Sequence, residues 1–272
     1  MSFGSRARAA ADAYGPLCVG VDPHAALLEQ WGVGDTLDGL KRFADACVEA
    51  FAGQVAFVKP QAAFFERFGA RGMSVLEDTI AGLRHTGSLV VLDVKRGDVG
   101  STAAAYADAY LDEDSPTAAD AVTVSPYLGL GSVDPFFEVA EKNDAGVFVL
   151  ALTSNPDAPL VQHASTADGP TVAGAVLADL ARRNAGASPM GSAGAVVGAT
   201  IGETAENLDI NGPLLVPGFG AQGGTVEDLR RLFGDVWPQM IASSSRDVLR
   251  AGPDPAALRA AAQAVAATLE SA

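Results

Sequence analysis

The sequence predicts an α/β protein whose eight parallel strands and their helices close into a single (β/α)8 barrel, the TIM barrel. Short runs of β-branched apolar residues recur along the 272-residue chain, and each leads through a polar break into an alanine- and leucine-rich stretch of helical period. Strands that are apolar on both faces and alternate with helices are typical of parallel sheets covered by helices. The chain length is common for one barrel, so we expect one domain over residues 1–272.

Eight runs have the length and composition of buried strands. They are Leu17–Val21, Val55–Lys59, Leu89–Asp93, Ala121–Val124, Gly146–Leu152, Ala195–Thr200, Leu214–Val216 and Met240–Ser243. Eight such units close most simply as a barrel, and an open, doubly wound sheet is the alternative. Helical periodicity lies between the strands, at Thr36–Ala52, Met73–Thr86, Thr102–Leu111, Asp134–Lys142, Val172–Arg183, Glu227–Phe233 and Pro255–Leu269.

The longest stretch without helical or strand period is Ser154–Gly169, which follows the fifth predicted strand. Long irregular connections are uncommon in a compact domain unless they have a function of their own. The segment is therefore predicted to be a lid or an oligomer contact.

Composition and charge exclude several classes of protein. The net charge of −15 argues against nucleic-acid binding and against an anionic membrane surface, because both need a basic face. No window approaches 18 uninterrupted apolar residues, and the N-terminus lacks the apolar core of a signal peptide. The two cysteines, Cys18 and Cys47, lie in apolar runs and are predicted to be buried thiols. We expect a cytoplasmic protein.

Polar side chains at the carboxyl ends of the strands are the candidate site, because active sites of such barrels lie at that face. The densest group is LDVKRGDVGSTAAAYA, residues 92–107, in which Asp93 and Lys95 share one side of an extended strand and Asp98 follows in a turn. Lys59 ends the neighbouring strand. A D-x-K-x-x-D pattern alone is usually a solvated turn, but its position after a strongly apolar strand favours a paired network of buried charges.

A second group, VPGFGAQGG over residues 216–224, predicts a phosphate site. Glycine lets backbone amides turn toward an anion, and the helix that follows adds its positive N-terminal end. The loops after strands seven and eight commonly hold phosphate in these barrels, and Arg246 after strand eight could add a bidentate contact.

Together these residues resemble those of a known family. D-V-K-R-G-D-V-x-x-T, from Asp93 to Thr102, is similar to the signature of orotidine 5'-monophosphate decarboxylases. CVGVDPH, FVKPQAAFFE, LALTSNP and PGFGAQGG, in that order along the chain, resemble the longer bacterial subgroup (type 2) of that family. Two departures are Val99, where isoleucine is common, and a rather short segment between strands six and seven, which puts the helix geometry there in doubt.

The resemblance implies a carboxy-lyase of pyrimidine biosynthesis that converts orotidine 5'-phosphate (OMP) to UMP and CO2 without a metal or cofactor. It implies a Lys-Asp-Lys-Asp tetrad in which Lys95 is the proton donor. It also implies a homodimer, in which the last Asp and a Thr reach into the partner's site. The implied tetrad is Lys59, Asp93, Lys95 and Asp98, and the implied substrate contacts are Asp22 and Lys59 to ribose, Ser154 to the pyrimidine, Gln222 and Arg246 to phosphate, and Thr102.

The sequence leaves two other functions open. A magnesium-dependent sugar-phosphate aldolase or decarboxylase would share D-x-K-x-x-D but would need metal-binding carboxylates and would lose activity in EDTA. A non-catalytic binding protein would have no reason to align opposed charges at strand ends. The three histidines have no metal-ligand spacing, and a metal site at Asp22 and His24 is disfavoured. The sequence leaves the role of Tyr127 open between a ligand contact and a structural one.

Overall fold

The computed structural model describes residues 1–270 and contains the predicted closed barrel; residues 271–272 of the expected domain lie outside the described range. All eight strands are parallel and pair in chain order, and β8 pairs with β1, with Leu17 opposite Ala242. This closure confirms the barrel and rules out the open sheet. The strands are β1 Leu17–Val21, β2 Phe57–Pro60, β3 Leu89–Arg96, β4 Ala121–Val124, β5 Gly146–Leu152, β6 Ala193–Val197, β7 Leu214–Pro217 and β8 Met240–Ser244.

The helices form an outer layer around the strands. Short 3₁₀ helices add to them at Leu130–Val133 and Gly234–Gln239. The α-helices are α1 Phe3–Tyr14, α2 Ala25–Gln30, α3 Leu37–Phe51, α4 Ala62–Glu66, α5 Gly69–His85, α6 Gly100–Leu111, α7 Asp134–Lys142, α8 Pro159–Gln162, α9 Val172–Arg183, α10 Val226–Phe233, α11 Arg246–Leu249 and α12 Pro255–Glu270.

Side-chain caps explain where three of the main helices begin. The hydroxyls of Thr36 and Thr171 accept hydrogen bonds from backbone amides three residues ahead, at the starts of α3 and α9. Thr225 and Asp228 form a reciprocal capping box at the start of α10. Each cap satisfies an amide that the helix leaves free and contributes about 1 kcal/mol.

The structure differs from the predicted elements between β6 and β7. The prediction placed the sixth strand at Ala195–Thr200, whereas β6 spans Ala193–Val197 and the chain turns out of the sheet at Gly198. Within the described chain, residues 198–213 contain no helix. Three glycines, two asparagines and one proline lie in this segment, and these residues favour turns over helix.

The N-terminal end of the barrel is closed by α1. The ring of Phe3 is fully buried and packs edge-to-face on Phe148 of β5, with centroids 5.9 Å apart. Gly146 leaves room for that ring, since a Cβ there would lie 2.3 Å from it. One apolar cluster fills the barrel interior and a larger one lies between strands and helices. Because this end is plugged, a ligand has access only from the opposite face.

No helix within residues 1–270 combines the length and the apolar character needed to cross a membrane.

Candidate active site

A cavity of about 440 Å³ opens at the carboxyl ends of the strands, where the sequence predicted the site. Seven of the predicted site residues line it: Asp22, Lys59, Asp93, Lys95, Ser154, Gln222 and Arg246. They come from different strands or the loops that follow them, so closure of the barrel alone brings them together.

Three charged side chains form a continuous array at the bottom of this cavity. The Asp93 carboxylate accepts from Lys59 Nζ on one oxygen at 3.1 Å and from Lys95 Nζ on the other at 2.6 Å. The side chains of Lys59 and Asp93 are each only 8% exposed, whereas that of Lys95 is 46% exposed and open to the cavity. The array therefore presents one accessible ammonium group, held by a carboxylate that a second, buried ammonium group supports.

The charges of the array shift the pKa values of its buried members. Burial alone would lower the pKa of Lys59, but the negative charges of Asp93 and Asp22 outweigh burial and hold that pKa above its ordinary value. Burial opposes ionisation of Asp93, yet Lys59, Lys95 and the hydroxyl of Thr123 hold its pKa well below the usual range. Lys59 and Asp93 are therefore both charged at neutral pH.

The backbone is irregular where β3 delivers Asp93 and Lys95. Lys95 has φ +45°, in the left-handed region, and the pairing of β3 with β4 shifts between Leu92 and Arg96. A non-glycine residue held there costs roughly 1–3 kcal/mol and is maintained by its surroundings. The prediction from extended backbone was thus incomplete, because Asp93 and Lys95 meet through a bulge and not through a regular strand.

Thr123 of β4 lies directly beneath the array. Its hydroxyl donates to Asp93 Oδ1 at 2.8 Å and accepts from the amides of Val94 and Lys95 at 3.1 and 3.0 Å. These contacts satisfy the amides that the bulge leaves without partners on β4. Thr123 therefore connects the irregular backbone to the carboxylate.

Two cavity-lining residues after β1 and β8 carry a polar atom that has no hydrogen-bond partner within the described residues. These atoms are Asp22 Oδ1 at the end of β1 and Ser245 Oγ after β8, and both are buried. An unpartnered buried oxygen is costly unless a ligand or water completes it. A ligand rich in hydroxyl groups would satisfy both atoms.

The glycine-rich loop after β7 has the backbone that the sequence predicted. Gly218, Gly220 and Gly223 all have positive φ, so other residues would be strained at these positions. Asp247 of α11 accepts from the Ala221 amide at 2.6 Å and fixes the loop to the next connection. Arg246, the adjacent residue, is exposed and lines the cavity. The loop and this cation therefore lie on the same cavity, and the phosphate site stays a prediction.

The segment after β5 covers the cavity from the side. Gln162 of α8 bonds both to the amide and to the hydroxyl of Thr153, at 2.8 Å each, and so ties the segment back to the strand end. Ser154, the residue after Thr153, lines the cavity. The neighbouring Leu160 is 84% exposed. These contacts hold the segment at the mouth of the cavity, and its function as a lid or an oligomer contact stays a prediction.

Asp98 and Thr102 do not line the cavity of their own chain. Asp98 is half-buried and accepts from the Val99 amide at 2.8 Å, and Thr102 is exposed on α6. Exposed apolar side chains lie in the same corner of the molecule, where Gly97 approaches Ser125 closely. These side chains are Val99, Tyr127 and Leu128.

Residues that the sequence analysis did not assign also line the cavity. Thr123 was detectable as the one polar residue in the apolar run AVTV. Gln61 donates its side-chain amide to the Asp93 carbonyl at 3.3 Å, and its place in the run FVKPQAAFFE did not indicate that role. No sequence pattern indicated a role for Gln162, because its contact with Thr153 depends on how the long segment after β5 folds.

Other predictions concern residues away from the array. Cys18 and Cys47 are free and buried, as predicted. His24 packs against the ring of Phe64 at 4.2 Å. Among residues 1–270, no three His, Cys, Asp or Glu side chains are grouped closely enough to hold a metal ion.

Comparison with known proteins gives a consistent result over nearly the whole chain. Residues 15–261 match the sequence model of the orotidine 5'-phosphate decarboxylase / HUMPS family. The chain is 63% identical over 251 residues to the orotidine 5'-phosphate decarboxylase of a Nocardioides species, covering 91% of this chain and 92% of the relative. It is 60% identical over 267 residues to that of Salinispora arenicola, covering 98% and 96%.

The fold agrees with a solved relative. A Streptomyces avermitilis protein assigned as an orotidine 5'-phosphate decarboxylase superposes with a TM-score of 0.97 at 56% identity. The superposition covers 99% of this chain and 95% of the crystal structure's chain. The similarity therefore extends over the barrel and all the loops that form the cavity.

Proposed function

The chain belongs to the orotidine 5'-phosphate decarboxylase / HUMPS family, and on that premise we propose that it converts OMP to UMP and CO2 with Lys95 as the proton donor. The observation that carries the assignment of roles is the Lys59–Asp93–Lys95 array at the cavity floor. No separate electron sink is needed if this array stabilises the developing charge by itself.

The chemical difficulty is a carbanion at C6 of the pyrimidine that has no adjacent group to delocalise it. The bond from C6 to the carboxylate breaks, its electron pair stays on C6, and CO2 leaves. The Lys95 ammonium group, fixed in advance by Asp93, stabilises that electron pair and then transfers a proton to C6. The neutral amine that remains regains a proton from solvent, which completes the cycle.

Asp93 has a second role in this scheme. Its carboxylate is held ionised next to the place where the substrate carboxylate binds. Two like charges about 4 Å apart repel by roughly 4 kcal/mol at an effective dielectric constant near 20. The repulsion disappears as CO2 leaves, and Lys59 keeps Asp93 in place throughout.

The remaining cavity residues bind parts of the substrate that do not react. The unpartnered oxygen of Asp22, with Lys59, binds the ribose hydroxyls, and Ser154 binds the pyrimidine. Gln222 and Arg246 bind the phosphate at the glycine-rich loop. Because phosphate is remote from C6, its binding energy is available to order the segment after β5 over the substrate.

In a homodimer, Asp98 and Thr102 would contribute to the active site of the second subunit. Neither residue lines the cavity of its own chain, and both lie in the corner that carries exposed Val99, Tyr127 and Leu128. Exposed apolar residues in one corner are typical of an interface. We place Asp98 and Thr102 in the active site of the second subunit, which makes the tetrad complete only in the dimer.

Mixing two inactive variants tests the shared site. In a heterodimer of Lys95→Ala with Asp98→Asn, one site carries both defects and the other carries neither. An equal mixture that exchanges subunits should therefore regain about a quarter of wild-type activity. No recovery, with exchange verified by mass spectrometry of differently tagged chains, would show that each chain builds its own site.

The activity itself is tested by following the ultraviolet absorbance of OMP with purified protein in EDTA. Loss of the OMP band, with UMP and CO2 as products, is the expected result. A magnesium-dependent sugar-phosphate enzyme would leave OMP unchanged and would turn over a ketose phosphate only after Mg²⁺ is restored. A binding protein would leave both substrates unchanged.

We also propose that residues 1–272 form one catalytic domain in the cytoplasm. The one-domain assignment is supported by α1, which closes the barrel, and by α12, which packs on α3. Two free, buried thiols fit a reducing compartment.

A further inference from the structure

In the pairing of β3 with β4, β3 contributes more residues than β4 does. Leu92 lies opposite Val122 and Arg96 lies opposite Val124, so three residues of β3 face Thr123 alone. These three residues include the Asp93 and Lys95 of the array. Thr123 is therefore the only residue of β4 that can take up the polar groups of this bulge.

The Thr123 hydroxyl uses its entire hydrogen-bonding capacity there. A hydroxyl has one donor and two acceptor positions. The donor contacts Asp93 Oδ1, and the two acceptor positions receive the amides of Val94 and Lys95. The side chain is buried, and each of its three contacts is to the protein.

The two peptide units before Lys95 are each held at both polar ends. Gln61 donates to the Asp93 carbonyl at 3.3 Å, and the amide of the same peptide unit donates to Thr123. Arg96 donates to the Val94 carbonyl at 3.1 Å, and the Lys95 amide of that unit donates to Thr123. Rotation of either unit would break two hydrogen bonds, which explains how Lys95 remains left-handed at φ +45°.

We propose that Thr123 is a positioning residue for the decarboxylation: its hydroxyl orients the Asp93 carboxylate and fixes the backbone from which the Lys95 ammonium group reaches C6. The inference rests on the proposed function for the identity of the reaction. It adds a residue that acts through Asp93 and Lys95 and needs no contact with the substrate.

Three variants distinguish the effect of the Thr123 hydroxyl from the effect of side-chain volume. Thr123→Val keeps the shape and removes the hydroxyl, whereas Thr123→Ser keeps the hydroxyl and removes the methyl group. Thr79→Val is the matched control, because Thr79 is also buried but donates only to the Val75 carbonyl in helix α5 and does not line the cavity.

We expect Thr123→Val to lower kcat for OMP by about a hundredfold or more while KM changes less than about threefold, because the phosphate and ribose contacts are intact. Thr123→Ser and Thr79→Val should keep kcat within about threefold of wild type. A kcat for Thr123→Val near that of wild type would overturn the proposal. An equally large loss of kcat in Thr123→Ser would also overturn the proposal, because it would show that the methyl group and not the hydroxyl is required. If the valine variant does not fold, Thr123→Ala replaces it, because alanine also has no hydrogen-bonding group there, and an unchanged kcat in that variant would count against the proposal equally.

A crystal structure of Thr123→Val provides a readout that does not depend on the reaction. The expected result is that Lys95 leaves the left-handed region or that its contact with Asp93 lengthens beyond about 4 Å. An unchanged array in that structure would overturn the proposal. If wild type failed to decarboxylate OMP, the proposed function would fall, and the structure would still decide whether Thr123 holds the array.

Discussion

Replacing Lys59 by methionine removes one of the two cations that hold the Asp93 carboxylate inside the barrel mouth. The two groups lie 3.1 Å apart, and each side chain is only 8% exposed. At that separation and an effective dielectric constant near 20, their attraction is about 5 kcal/mol. Removing one partner of a buried pair usually costs about 3–5 kcal/mol. Because Lys95 and Thr123 still contact Asp93, we expect the lower end, about 3 kcal/mol.

The assay is urea unfolding near neutral pH, followed by circular dichroism, with the slope of the transition unchanged. Lys41→Met is the matched control, because Lys41 pairs with Asp45 on the surface of α3 at 3.4 Å. That exposed pair should contribute less than about 0.5 kcal/mol. A free energy of unfolding within about 1 kcal/mol of wild type for Lys59→Met would refute the reasoning, since Asp93 would then not depend on its buried partner. If the same 3 kcal/mol is lost from the stabilisation of the transition state, kcat/KM of this variant should fall by a factor of roughly 150.

Three further predictions concern pH, the glycine-rich loop and the phosphate contact. Because the pKa of Asp93 is lower in the folded chain than in the unfolded one, its stabilisation is complete above about pH 4 and is lost as the pH falls below that value. In that pH range, the free energy of unfolding measured in urea should therefore fall by up to about 1.4 kcal/mol per pH unit more for wild type than for Asp93→Asn. Parallel pH dependences of the two proteins would contradict this. Gly220→Ala should raise KM for OMP at least about tenfold, because Gly220 has φ +76° and a Cβ there would lie 2.0 Å from Asp247, whereas Gly32→Ala, with φ +69° and open space, should leave KM unchanged. Arg246→Met should raise KM for OMP by about 10- to 100-fold through loss of a charged hydrogen bond; equal effects in Arg250→Met, a neighbour that does not line the cavity, would contradict a specific phosphate contact.

The fold was largely predictable because its strands are apolar on both faces. β1, β4 and β5 have the predicted bounds, since each is a β-branched run between polar breaks. The helix α1 was not predicted, although it plugs the barrel, because its buried face consists of only a few residues. Helices α2, α4, α8 and α11 were also missed, because four to six residues are too few to show helical periodicity.

The candidate site could be predicted as a set of residues but not as a geometry. The alternation of Lys and Asp at strand ends placed Lys59, Asp93 and Lys95 together, because parallel strands end at one face. The left-handed backbone at Lys95 and the three contacts of Thr123 follow from a mismatch between two strands. No local pattern encodes that mismatch, since it depends on the register of residues about 30 positions apart.

The most direct test of the account is a measurement of kcat for OMP with Lys95→Ala beside wild type, in EDTA, by ultraviolet absorbance. If the Lys95 ammonium group stabilises the carbanion and protonates C6, the variant should lose at least about 10⁴-fold in kcat and still bind UMP, because the ribose and phosphate contacts lie elsewhere in the cavity. A Lys95→Ala variant that decarboxylates OMP at a rate near that of wild type would contradict the assignment of Lys95 and, with it, the role of the charged array.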